Sequence, residues 1–156
     1  MNRAVLIVMN LVVLGVYIVG SGFWVASGSS WYQALRQPPW QPPDALFGLA
    51  WTYNFIMLGI VGTIVVLNVS AGSAGTWLGF FAGSVAFALA WAYLFYVPHQ
   101  LTAAWVCLAI AAVATVPMVV VAFRYNLFTG ISMLPYLAWL CTATSLSVGY
   151  AVLNGR

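Results

Sequence analysis

Residues 4–26 read A-V-L-I-V-M-N-L-V-V-L-G-V-Y-I-V-G-S-G-F-W-V-A, without a charge or a proline. A helix rises 1.5 Å per residue, so this stretch covers about 35 Å, enough to cross a hydrocarbon core about 30 Å thick. It outruns the apolar core of a signal peptide and is followed by four comparable stretches, so it reads as a mature transmembrane helix. The others fall at residues 45–69, 76–97, 101–123 and 131–153. The intervening residues 71–75, 98–100 and 124–130 are too few to hold a domain. The expected fold is therefore all-α: one integral membrane domain over residues 1–156, a bundle of five transmembrane helices.

Composition agrees. The chain is 65% apolar, 16% aromatic and 3% charged, with a mean hydropathy of +1.05. So few charges cannot solvate a water-facing surface, which excludes soluble, disordered and nucleic-acid-binding proteins together. The arginines Arg3, Arg36, Arg124 and Arg156 are scattered, and Asp44 is the sole acid. Paired-carboxylate catalysis, ion coupling through membrane acids, metalloprotease motifs and Walker loops all need residues that are missing. Cys107 and Cys141 lie inside apolar runs and read as small buried hydrophobes. With five spans the termini lie on opposite faces. Arg3 and Arg124 then face Arg36 and Arg156, and the positive-inside rule gives no orientation.

Within the spans, aromatic and polar residues divide by depth. Trp24, Trp31, Trp40, Trp77 and Trp105 stand at or near span ends and read as an interfacial belt. Trp51, Trp91 and Trp139 lie deeper, where each indole N–H requires a protein or ligand acceptor. Asn10, Thr52, Asn54, Ser84, Thr142, Thr144, Ser145 and Ser147 read as interhelical bonds or bonds to the preceding turn. Gly75, Gly79 and Gly83 recur four apart, flanked by Ala82, Ala86 and Ala90. Such a strip lets a second helix approach closely, either within the bundle or across a seam between two copies.

The long connection at residues 27–43 reads S-G-S-S-W-Y-Q-A-L-R-Q-P-P-W-Q-P-P. Pro38, Pro39, Pro42 and Pro43 preclude a continuous helix there. Trp31, Tyr32, Leu35 and Trp40 make the segment too apolar for a solvated loop, so it is expected to fold back as a stiff lid over one mouth of the bundle. Asp44 follows as the expected cap of the second helix, with Arg36 as a local partner. His99, in a turn on the same face, reads as a headgroup-level histidine, an axial contact to haem iron being the alternative.

Trp31-Tyr32-x-Ala34-Leu35-x-x-Pro38-x-Trp40-x-Pro42-Pro43, followed by Trp51, together with Pro135-Tyr136-Leu137-Ala138-Trp139-Leu140 and Ala143-Thr144-x-Leu146, resembles the tryptophan-rich sensory protein/translocator protein (TspO/MBR) family, also called peripheral-type benzodiazepine receptors. The resemblance implies a five-helix membrane protein that binds porphyrins such as protoporphyrin IX, haem or, in animals, cholesterol, in a pocket closed by the first loop. It implies Trp31, Tyr32, Trp51, Trp139 and Ala143 as ligand-binding residues and a homodimer through the third helix. No cofactor or metal is implied beyond porphyrin or haem as ligand. Trp31 and Trp139 match positions implicated in light-dependent porphyrin breakdown in some bacterial relatives. Three functions follow: a receptor or sensor of such ligands, a passive translocator, or a porphyrin-degrading photo-oxidase.

The chain departs from the family's pattern in helices three and five. Ala88 stands for the asparagine of Asn-x-x-Trp, and Ala92-Tyr93 for Thr-Pro. In the fifth helix, Ser147, Val148 and Val152 replace an Asn-Tyr pair and the following arginine. Ala88 implies a lost ligand hydrogen bond and weaker binding of amide-type drug ligands. A displaced Leu146-x3-Tyr150-x5-Arg156 fits the loose cholesterol consensus.

Overall fold

Side-chain caps and prolines set the helix boundaries in the computed structural model, which describes residues 2–155. The Asn2 side chain accepts from Ala4 N at 3.0 Å and starts α1 (Arg3–Ser27). A short α2 (Ser29–Gln33) follows, and Pro43 precedes α3 (Asp44–Asn68). Ser70 caps α4 (Ala71–Tyr96) by accepting from Ser73 N, α5 is Leu101–Tyr125, and Asn126 caps α6 (Leu127–Asn154) by accepting from Thr129 N at 2.8 Å. Each cap satisfies an N–H that the first turn of a helix leaves without a partner. At the other end of α3, Arg3 donates to the carbonyls of Val66 and Val69, a cation on a helix C-terminus. All helices except α2 are long and apolar enough to cross a bilayer, and no strand occurs among the described residues.

Two spans begin earlier than the sequence suggests. Residues 71–75 form the first turn of α4 and residues 127–130 the first turn of α6, leaving Asn126 alone as the α5–α6 break. Glycine near these ends reads as a turn signal, but in lipid an unpaired backbone group is too costly, so the helix continues to the cap. Gly130 has a specific reason to be glycine: the Phe123 ring occupies the space a Cβ would need.

The early start of α4 corrects the placement of Trp77. Expected in the interfacial belt, it is 0% exposed, and its Nε1 donates to Asn10 Oδ1 on α1 at 3.0 Å. Asp44 opens α3 as expected but makes no side-chain capping bond, because Pro43 holds the cap position. Arg156, which the sequence reading sets on the face opposite Arg3 and at the end of the cholesterol pattern, lies outside the described residues.

Around the bundle the long helices follow the order α1, α3, α6, α5, α4 and back to α1. The half remote from the first loop is solid. Leu6, Asn10, Val61, Val65, Trp77, Phe81, Met118 and Met133 fill it, and Ser84 Oγ bonds both Ala111 O and Thr115 Oγ1 across α4 and α5. The loop-side half is not closed by helix packing, and the connection between α1 and α3 roofs it.

Candidate ligand-binding cavity under the first loop

The roof is pinned at several points on α6. Asn154 brackets one peptide unit of the loop, its Oδ1 accepting from Arg36 N at 2.9 Å while its Nδ2 donates to Arg36 O at 3.0 Å. One turn earlier, the hydroxyls of Tyr150 and Tyr32 lie 3.0 Å apart, and Tyr150 donates to Gln41 Oε1. Gly149 lies directly beneath the loop, where a Cβ would come within 2.7 Å of Pro38 and 2.9 Å of Trp40. At the start of the loop, Gly28 lies as close to Tyr96 on α4. The prolines shorten the list of conformations the free loop can take, and these contacts choose among them.

Beneath the roof is a cavity of about 470 Å³, within the range of small-molecule sites. Its walls come from α1 (Tyr17, Ser21, Gly22, Val25), the loop and α2 (Ser29, Tyr32, Gln33, Gln37), α3 (Asp44, Phe47, Trp51, Phe55), α4 (Ala88, Trp91, Phe95, Tyr96) and α6 (Trp139, Ala143, Leu146, Ser147, Tyr150). Helix α5 contributes nothing and only backs the bundle. The aromatic groups are ordered against one another. Trp51 and Trp139 meet edge to face at 6.4 Å, Phe47 and Trp139 at 5.3 Å, and Tyr17 stands edge-on to Trp51 at 5.7 Å. Such geometry holds the rings as fixed surfaces onto which a flat apolar molecule can stack.

Hydrogen bonding in the wall is incomplete. Trp91 Nε1 donates to Ser147 Oγ at 3.2 Å, so this serine supports a wall indole. Trp139 Nε1 and Tyr17 Oη, both enclosed, have no partner. A buried donor without an acceptor is costly in hydrocarbon, and neither atom is open to the cavity surface. Trp139 also lines a shallower bilayer-facing groove between α3 and α6, beside Tyr53, Asn54 and Pro135, and so forms part of the partition between cavity and lipid.

Of the residues singled out from the sequence, Tyr32, Trp51, Trp139 and Ala143 come together on the cavity wall. Trp31 does not join them. Its ring stacks on His99 at 3.8 Å with the planes 16° apart and meets Phe95 edge-on at 5.5 Å. The reason is geometric: neighbours on a helical turn point about 100° apart, so with Tyr32 turned inward on α2, Trp31 faces elsewhere. His99, held at a positive φ of 57°, is thereby occupied outside the cavity rather than set over a macrocycle. No group of three or more His, Cys, Asp or Glu side chains that could hold a metal ion occurs among the described residues. The sequence reading missed Gln41, Gly149 and Asn154. Their role depends on residues far apart in the chain, and no local pattern announces it.

The glycine strip faces the other way. A Cβ on Gly75, Gly79 or Gly83 would meet nothing within 4 Å, so this bundle does not use the strip for its own packing.

The TspO/MBR family model matches residues 7–153, which include every wall of the cavity and its roof. This chain belongs to the TspO/MBR family. It is similar to the tryptophan-rich protein TspO of Archaeoglobus fulgidus, at 29% identity over 99% of both chains. It is also similar to protein CrtK of Rhodobacter capsulatus, at 27% identity over 94% of this chain and 95% of the relative. With the human translocator protein it shares 30% identity over 83% of this chain and 78% of the human one. The chain is thus a multi-pass integral membrane protein of a family of membrane sensors and translocators.

Proposed function

We propose that this TspO/MBR protein is a membrane receptor that takes a porphyrin, such as protoporphyrin IX or haem, or a similarly flat apolar molecule such as a sterol into the cavity beneath its first loop. The observation that carries the reading is the cavity itself: about 470 Å³ walled by Trp51, Trp91, Trp139 and their aromatic neighbours. A macrocycle offers two π faces to those rings. Binding of this kind requires no cofactor. Receptor function is preferred over proton-coupled transport because, among the described residues, no carboxylate, arginine or histidine stands at mid-membrane depth, Asp44 being at the very start of α3.

The receptor is proposed to act as a homodimer through Gly75, Gly79 and Gly83. The support is that the strip is open to a second helix from outside.

Titrating the purified protein with protoporphyrin IX and with haem, followed at the Soret band, tests the ligand reading. Saturable binding at one porphyrin per chain, weakened by Trp51→Leu, is expected; a linear, unsaturable response rules it out.

A further inference from the structure

The cavity is one-sided in charge. Among the described residues no arginine, lysine or histidine lines it, and the one ionisable carboxyl there is Asp44 at the mouth. The N-terminal end of α3 opens at that mouth and would attract a ligand carboxylate through its dipole, but Asp44 stands in the first turn and answers that potential itself. Arg36 belongs to the roof, yet its side chain is not part of the wall, and its peptide groups are held by Asn154. Below Asp44 come Phe47, Trp51 and Trp139, whose ring faces carry the negative side of the aromatic quadrupole.

A carboxylate entering this space loses hydration, meets no cation among the described wall residues and approaches a like charge. A cationic or neutral group does better, because a cation gains both the carboxylate and the ring faces.

We propose that the cavity selects its ligand by charge, favouring flat aromatic molecules with a neutral or cationic periphery over the corresponding dicarboxylates, and that Asp44 is the residue that sets this preference. The inference rests on the reading that the cavity binds flat aromatic ligands and names which members of that class it prefers.

The test compares three porphyrins on the full chain in a non-ionic detergent: protoporphyrin IX, its dimethyl ester, and its bis-amide with N,N-dimethylethylenediamine, a dication at neutral pH. For each, the dissociation constant of Asp44→Asn relative to wild type cancels partition into the micelle. A like charge about 6 Å away in a water-like dielectric corresponds to about threefold in affinity. Asp44→Asn is therefore expected to tighten the dicarboxylate at least threefold, weaken the dication by a similar factor and leave the ester unchanged. Asp44→Lys should move the same two ligands further in the same directions, and Arg36→Gln should leave the dicarboxylate unchanged. Ratios near one for all three ligands overturn the charge rule alone, as does loss of dicarboxylate binding in Arg36→Gln. Failure of all three to bind saturably overturns the porphyrin reading and this inference with it.

Discussion

Trp77 and Asn10 lock α4 to α1 inside the solid half of the bundle: the indole N–H donates to the Asn10 carboxamide at 3.0 Å, with both residues fully enclosed. The same carboxamide reaches Leu58 O on α3 at 3.5 Å and lies against Gly62, where a Cβ would collide with it. One asparagine thus joins three helices at a depth where no water can replace its bonds. The solid half therefore holds α1, α3 and α4 in place, and their loop-side ends can stand apart around a cavity.

Stability should depend on that junction. Asn10→Leu leaves the Trp77 N–H without an acceptor, which costs about 1–3 kcal/mol, and should lower the Tm measured in detergent by tryptophan fluorescence. Gly62→Ala should also lower it, by pushing Asn10 away. Gly15→Ala has open space around the added methyl and is expected to leave the Tm unchanged. Equal Tm values for Asn10→Leu and Gly15→Ala would remove the junction from the account of stability.

Much of this architecture is legible in the sequence because lipid imposes a single rule: apolar runs of about 20 residues must be helices. The five spans, the fold-back of residues 27–43 and the meeting of Trp51 with Trp139 follow from run length, proline spacing and motif. Trp77 is misread because its depth depends on where α4 begins, and a glycine-rich first turn hides that start. Trp31 is misread because its direction depends on the five-residue helix α2, too short to show periodicity. Gln41, Gly149 and Asn154 are invisible for a third reason, since each is ordinary locally and acquires a task only when α6 and the loop meet.

The roof should open more often when its clip is cut. Asn154→Ala removes both hydrogen bonds to Arg36, worth roughly 0.5–1.5 kcal/mol each, so amide exchange over residues 36–41 should accelerate about tenfold. In the wild type, porphyrin binding should slow exchange over residues 29–35, because ligand contact with Tyr32 orders α2. Hydrogen exchange read by mass spectrometry checks both. Protection gained in the long helices alone would show that the loop does not serve as a lid.

Gly79→Leu should separate the proposed dimer without harming the fold. The added side chain points into open space, so helix content and Tm are expected to match the wild type. Two backbones in close contact there cannot accommodate it. Light scattering in a mild detergent should then report a monomer mass. An unchanged dimer mass moves the seam elsewhere.

Among the tryptophans, ligand affinity should follow the walls of the cavity rather than the number of rings in the motif. Trp51 and Trp139 line the space, whereas Trp105 is a partly buried residue of α5, the helix that contributes nothing to the walls. Losing one well-placed aromatic face removes about 0.5–1.5 kcal/mol, or roughly two- to twelvefold in the dissociation constant. Trp51→Leu and Trp139→Leu should each weaken porphyrin by such a factor in Soret titrations, and Trp105→Leu should not. Trp77 is unsuitable as the neutral comparison, because its replacement breaks the Asn10 junction and confounds affinity with folding. Trp31→Leu separates two mechanisms. Its ring stacks on His99 and meets the wall residue Phe95 without itself lining the cavity, so the substitution should speed ligand release by loosening the roof while leaving the spectrum of the bound porphyrin unchanged. Ala88, enclosed on the cavity wall, gives the complementary gain: Ala88→Asn adds a donor where the family pattern has one and should tighten ligands that carry an amide carbonyl. If Trp105→Leu weakens porphyrin as much as Trp51→Leu and Trp139→Leu do, the ligand is not in this cavity.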